Sequence, residues 1–187
     1  NIDDDLDLEN ISFVKCGEGE DAGAEYGVLD FPSIVFIQNG IPNTYEVENE
    51  EEDLSDHGAI LAWVKEEAKT DRIHEVTDVL LGKLIEKIED LVVIFYDMEE
   101  DPTVENLQKI ANDCTEEEIG IIKINDPDEA KDYGLGDKMP AILYFENKIP
   151  SLMNANIEDE DDVLEWIKKR KTTTTIHEVT DAILTDI

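Results

Sequence analysis

Two cysteines and three histidines are all that the 187 residues offer as thiols and imidazoles. That is too few for a disulfide framework or an internal zinc site. Basic residues are scarce as well: 15 Lys and Arg stand against 49 Asp and Glu, a formal net charge of −34. This charge excludes nucleic acid as a partner, because binding there is driven by neutralising phosphates. Anionic membrane surfaces repel the chain for the same reason. Long apolar runs are missing. The longest, Leu91 to Tyr96, falls far short of the ~20 residues that span a bilayer. The apolar fraction is nevertheless 41%, enough to build a core, and the length suits one or two domains.

What is present is a repeat. Arg72 to Leu80 (RIHEVTDVL) recurs as Thr175 to Ile183 (TIHEVTDAI), with 177 − 74 = 103 between the two histidines. Ala62-Trp63-Val64-Lys65 matches Glu165-Trp166-Ile167-Lys168 at the same offset. Asn39-Gly40-Ile41-Pro42 matches Asn147-Lys148-Ile149-Pro150, at 149 − 41 = 108. Tyr26-Gly27-Val28 matches Tyr133-Gly134-Leu135, at 133 − 26 = 107. Four blocks in one order, with small drifts, describe a duplicated unit with loop insertions. A period of about 105 residues is a domain, not a solenoid repeat.

One full unit is legible. Ile73, Val76, Leu80, Leu81, Leu84, Ile85 and Ile88 recur at helical spacing and predict a helix over 73–88. Leu91 to Tyr96 reads as a strand buried on both faces. Pro102 opens a helix whose apolar face is Val104, Leu107, Ile110 and Ala111. Ile119 to Ile124 is a second strand. Pro127 to Tyr133 is a short helix stopped by Gly134. Ala141 to Phe145 is a third strand, and Asn147-Lys148 turns it into a fourth near Ser151 to Asn154. Asp161 to Lys171 closes the unit, acids first and bases last, as the helix dipole favours. The order α-β-α-β-α-β-β-α implies parallel pairing in the first half, an antiparallel hairpin after it, and helices on both faces. In the earlier copy, Ser12 to Lys15 and Ser33 to Phe36 read as strands.

These residues resemble the thioredoxin fold. The resemblance rests on this element order and on Tyr26-Gly27-Val28-Leu29-Asp30-Phe31-Pro32 leading into Ser33-Ile34-Val35-Phe36. The second copy carries it as Tyr133-Gly134-Leu135, then Met139-Pro140 and Ala141 to Phe145. The family holds a cis proline at this place, so the resemblance makes Pro32 and Pro140 the cis-proline candidates. Tandem domains of this type resemble the protein disulfide isomerase family. The Glu-Val-Thr-Asp helix leading into Val-Ile-Phe-Tyr-Asp is similar to insect proteins built from many such domains in series. The acidity resembles that of calsequestrin, a calcium-storage family with the same fold. The expected class is α/β: tandem thioredoxin-like folds, each a mixed central sheet flanked by helices. The expected domains are a partial one at 1–70 lacking its first strand, a complete one at 71–171, and the first helix of another at 172–187.

The resemblance also locates what is missing. A redox-active member needs Cys-x-x-Cys after the first strand, where a helix N-terminus lowers the thiol pKa. Here the stretch contains Glu99, Glu100, Asp101, Pro102 and Thr103, a degenerate loop without sulfur. Cys16 and Cys114 occupy non-equivalent places and read as isolated thiols; a bond between them has no geometric support in the sequence.

Acidic runs are the remaining signal. Glu50, Glu51, Glu52 and Asp53 precede one closing helix, and Glu158, Asp159, Glu160, Asp161 and Asp162 precede the other. Hard cations want carboxylate oxygens, so weak, diffuse calcium binding is one expectation; solvation and helix N-terminal charge is the blander one. Asp3, Asp5 and Asp7 alternate as in an EF-hand. Leu8 stands where that loop needs Gly and Val14 where it needs Glu, which rejects it. His74 and His177 read as surface or capping residues near a helix start, Trp63 and Trp166 as core anchors. Asn10-Ile11-Ser12 is a glycosylation sequon, which matters only for a secretory chain.

The expected function is a redox-inactive thioredoxin-like array in the endoplasmic reticulum lumen or secreted. It would act as a protein-interaction scaffold and low-affinity calcium binder, with no other cofactor. Its expected partners are other proteins or further repeats of the same chain, with end-to-end self-association. The alternatives are a piece of a disulfide isomerase whose Cys-x-x-Cys domains lie elsewhere, or a structural polymer subunit.

Overall fold

A computed structural model describes residues 11–17, 21–28, 30–45, 54–69, 72–98, 101–136 and 138–173. Asp3 to Asp7, Asn10, the run Glu48 to Asp53, Glu99, Glu100 and residues 174–187 with His177 lie outside the described residues. The chain divides into two compact units, Asn1–Asp71 and Arg72–Ile187.

The first unit contains helix α1 (Asp21–Glu25), strands β1 (Val35–Gln38) and β2 (Ile41–Thr44), and helix α2 (His57–Glu67). The strands form a hairpin in the register Val35↔Thr44 to Gln38↔Ile41. Its two-residue turn needs positive φ twice, which Asn39 (52°) and Gly40 (81°) supply. Asp56 caps α2 by accepting from the amides of Gly58 and Ala59. Buried Ile60 and Val64 of α2 pack with Ile11, Ile34, Phe36, Tyr45 and Trp63.

The second unit runs β3 (His74–Glu75), α3 (Asp78–Lys87), β4 (Asp90–Phe95), α4 (Pro102–Leu107), a 3-10 turn (Gln108–Ile110), and α5 (Ala111–Glu116). It continues with β5 (Gly120–Ile124), α6 (Pro127–Asp132), β6 (Ala141–Glu146), β7 (Ile149–Leu152) and α7 (Glu160–Thr172). The sheet order is β3-β5-β4-β6-β7. The β3·β5 and β4·β5 pairs are parallel, and β4·β6 and β6·β7 are antiparallel. A central strand shared between a parallel half and an antiparallel hairpin is the thioredoxin-like arrangement. Val92, Ile94, Tyr96, Ile121, Ile142 and Tyr144 point to one face, where Val104, Leu107, Val163 and Ile167 cover them. Leu91, Val93, Phe95, Ile122, Leu143 and Phe145 alternate with these and are also fully buried, together with Leu81 and Leu84 of α3.

Four expectations are corrected. The helix expected from Ile73 starts only at Asp78. His74 and Glu75 instead pair with Ile122 and Lys123, and Thr77 caps the helix through the Leu80 amide. Ile73 and Val76 are three apart and so suited the helical period, but the Thr77 cap sets the boundary. His74 is accordingly a strand residue. The fourth strand lies at Ile149–Leu152, nearer its turn than 151–154. Ser12 to Lys15 forms no strand, and Phe13 and Val14 are 48% and 76% exposed. The matching strand β5 is hydrogen-bonded to β4, and no strand like β4 occurs among the described residues of the first unit. The two tryptophans flank their clusters, partly buried, rather than sit inside them.

Candidate functional site

Strand pairing brings three loops to one end of the sheet. Phe95 pairs with Ile124 on one side and with Ala141 on the other. The chain therefore leaves β4 at Tyr96, β5 at Asn125 and enters β6 from Pro140 at the same edge. This is the carboxyl end of the parallel strands, where α/β sheets place their ligands. The Phe31–Pro32 and Met139–Pro140 peptide bonds are both cis.

Acid stands at the start of the helix that follows β4. Asp101 is buried and accepts from the Thr103 amide at 2.8 Å, as the N-cap of α4. Pro102 follows at the first helical position, where its missing N–H costs nothing. A fixed carboxylate at a helix start satisfies the dipole that would otherwise stabilise a thiolate. Buried Tyr96, next after β4, donates its hydroxyl to Glu75 Oε2 at 2.6 Å. The Lys123 ammonium lies 5.6 Å from the Tyr96 ring centroid. Met98, in the same loop, is 57% exposed.

The one described thiol of the second unit lies at the other end of the sheet. The Cys114 carbonyl accepts from Ile119, just before the end of β5 that pairs with Leu91. Its side chain is fully buried. Burial, reinforced by Asp113 and partly offset by Lys168, pushes the thiol from 9.0 up to about 12. Cys16 is exposed, and both are free thiols.

The described acidic run serves its helix. Asp159 caps α7 by accepting from Asp161 and Asp162 amides at 3.0 and 3.3 Å. Glu160 Oε2 lies 2.9 Å from Lys109 Nζ. Glu158 donates its amide to Asn156, and the Asp161 and Asp162 side chains are exposed. Among the described residues, no group of three or more His, Cys, Asp or Glu is placed to hold a metal ion. No helix among them is long and apolar enough to cross a membrane.

Sequence reasoning passed over four polar anchors. Asp101-Pro102 and Asp126-Pro127 are each an N-cap followed by Pro at the helix start; the Asp-Pro dipeptide was the readable signal. Tyr133 wedges its ring between Phe95 and Phe145, centroids 5.4 and 5.7 Å away. Burial, with Glu129 and Asp132, pushes its hydroxyl from 10.0 up to about 12. Fully buried Tyr144 donates to Asp90 Oδ1 at 2.8 Å, a long-range contact that no local pattern announces.

The chain matches no protein-family model and no curated protein. Among solved structures it is similar to human ERp44 in a zinc-bound form, at 15% identity and TM-score 0.45. That match covers 98% of this chain and 51% of ERp44, so the chain spans about half of that protein's length. It is also similar to the J-Trx1 fragment of ERdj5, at 11% identity and TM-score 0.49, covering 67% of this chain and 68% of that one. Oxidised thioredoxin from Plasmodium falciparum matches at 16% identity and TM-score 0.43, over 52% of this chain and 97% of that one.

Proposed function

We propose that the chain is a redox-inactive thioredoxin-like scaffold, part of an array of such domains, that binds other proteins and, weakly, calcium. The carrying observation is Asp101: a buried carboxylate caps the helix where a nucleophilic thiol would have to stand. Cys114, buried and held protonated at the far end of the sheet, offers no substitute. A secretory location follows from the resemblance to disulfide isomerases. In an insulin-reduction assay with dithiothreitol, wild type and the Cys16→Ser/Cys114→Ser variant should both match the protein-free blank. Turnover by wild type above the variant would defeat the redox-inactive reading.

The calcium reading rests on the formal charge of −34. Self-repulsion on this scale opposes compaction, and divalent cations bound to the folded state relieve it. Melting in CaCl₂ should exceed melting in NaCl of equal ionic strength. Coincident curves would remove calcium from the proposal.

A further inference from the structure

The two hairpin turns share a backbone and differ in one side chain. Asn39-Gly40 is the one Asn-Gly pair in the sequence, and the second copy carries Lys148 after Asn147 instead. The φ angles are 52° and 81° at Asn39 and Gly40, and 50° and 73° at Asn147 and Lys148. All four residues are exposed, so water reaches both turns. The second turn is also tied to its surroundings: the Asn147 amide donates to the Glu89 carbonyl at 2.8 Å, and Lys148 pairs with Glu86.

An asparagine side chain can be attacked by the amide nitrogen of the residue that follows it. A Cβ on that following residue crowds the nitrogen and restricts the backbone that must bend toward Cγ. Glycine has no Cβ and the widest choice of φ and ψ. Gly40 therefore leaves its nitrogen open to react, whereas Lys148 shields the matching atom.

We propose that Asn39 is a site of spontaneous deamidation and that Asn147 is spared. The Gly40 nitrogen bonds to Asn39 Cγ, the Cγ–Nδ2 bond breaks, and ammonia leaves with the Gly40 amide proton. The product is a five-membered cyclic imide. Water then opens the ring at either carbonyl. Cleavage at Cγ leaves an aspartyl group; cleavage at the backbone carbonyl carbon leaves an isoaspartyl group, with the chain running through the former side chain. In sum, an amide and one water become a carboxylate and an ammonium ion, with no change of oxidation state. The isoaspartyl form puts an extra carbon into a two-residue turn that is matched to its strands. The pair next to the turn, Gln38↔Ile41, should separate first. The new carboxylate also brings charge to Phe31 to Tyr45, a stretch that holds none.

The full 187-residue chain is aged at mildly alkaline pH, digested and followed by peptide mass spectrometry. Isoaspartate is counted with an isoaspartate-specific carboxyl methyltransferase and labelled S-adenosylmethionine. The peptide carrying Asn39 should convert at least about tenfold faster than the one carrying Asn147, and should yield isoaspartate as well as aspartate. Gly40→Lys, a residue that the second turn accepts at this place, should slow the first turn by about tenfold or more. Ageing in urea needs no variant. The Asn39 rate there should lie within about tenfold of the rate in the folded chain, because an exposed turn opens easily. Equal rates at Asn39 and Asn147 would overturn the proposal. So would aspartate without isoaspartate, a rate indifferent to Gly40→Lys, or conversion confined to the unfolded chain.

Discussion

The two units present the same hairpin in two states of completion. In the second unit β6 is an interior strand: β4 flanks it on one side and β7 on the other, and Ile142 to Phe145 are at most 1% exposed. In the first unit the matching β1 keeps its turn, its hairpin register and its tryptophan contact. Among the described residues of that unit it has β2 as its one strand neighbour. Local chemistry therefore sets the hairpin and the closing helix, while the central strand decides whether the surrounding segments become a sheet. Ser12 to Lys15 shows the dependence plainly, having strand composition and no ladder.

Matched truncations should separate the units most strongly. Ile122→Ala removes a fully buried side chain and should cost the second unit about 2–5 kcal/mol in urea unfolding. Val14→Ala, at the aligned position, should stay within about 0.5 kcal/mol. Similar costs at both sites would mean that the first unit has a packed core around Val14.

Alkali comes next. Cys114 ionises near 9.0 in the unfolded chain but only at about 12 in the fold. Between those values the folded state holds more protons, so stability falls as pH rises, by about 1.4 kcal/mol per unit at most. This contribution is complete below pH 9 and gone above the folded value. Tyr133, raised from 10.0 to about 12, acts in the same direction. Cys114→Ala should flatten the decline between pH 9 and 12 relative to wild type. In native protein at pH 8, iodoacetamide should label Cys16 and spare Cys114, with both labelled in urea.

Smaller effects test the caps and turns. Asp101→Ala should cost about 1 kcal/mol of second-unit stability. Asp101→Asn, which keeps an accepting oxygen, should recover much of it. The two turns differ at their second residue: Gly40 has φ 81° and Lys148 has φ 73°. A side chain in that region costs about 1 kcal/mol. Lys148→Gly should therefore stabilise the second unit slightly despite losing the exposed ion pair with Glu86, and Gly40→Ala should weaken the first. Destabilisation by Lys148→Gly together with no loss from Gly40→Ala would refute the turn alignment.

Most of the second unit's fold was legible because its signals are local. An apolar run, helix starts at Pro102 and Pro127 and an Asn-led turn each sit within a few residues. The first helix boundary was misplaced because Ile73 and Val76, three apart, suit the helical period, while the Thr77 cap starts the helix only at Asp78. The site was readable as an absence, since no cysteine lies between Asp97 and Val104. That Asp101 is buried and caps α4 depends on packing, as does the Tyr144–Asp90 bond across 54 residues. The exposure of Val14 was not legible either, because Phe13-Val14 reads as a core strand until its neighbour is sought.

Amide hydrogen exchange on the unmodified chain, resolved by residue, tests the contrast between the copies most directly. Ile142 to Phe145 should exchange only when the second unit unfolds. Ile34 to Ile37 should exchange faster by at least about tenfold, with Phe13 and Val14 close to unprotected. Equal protection of the two aligned strands, with Phe13 and Val14 protected like Ile121 and Ile122, would show that the first unit closes its own sheet and would contradict the account.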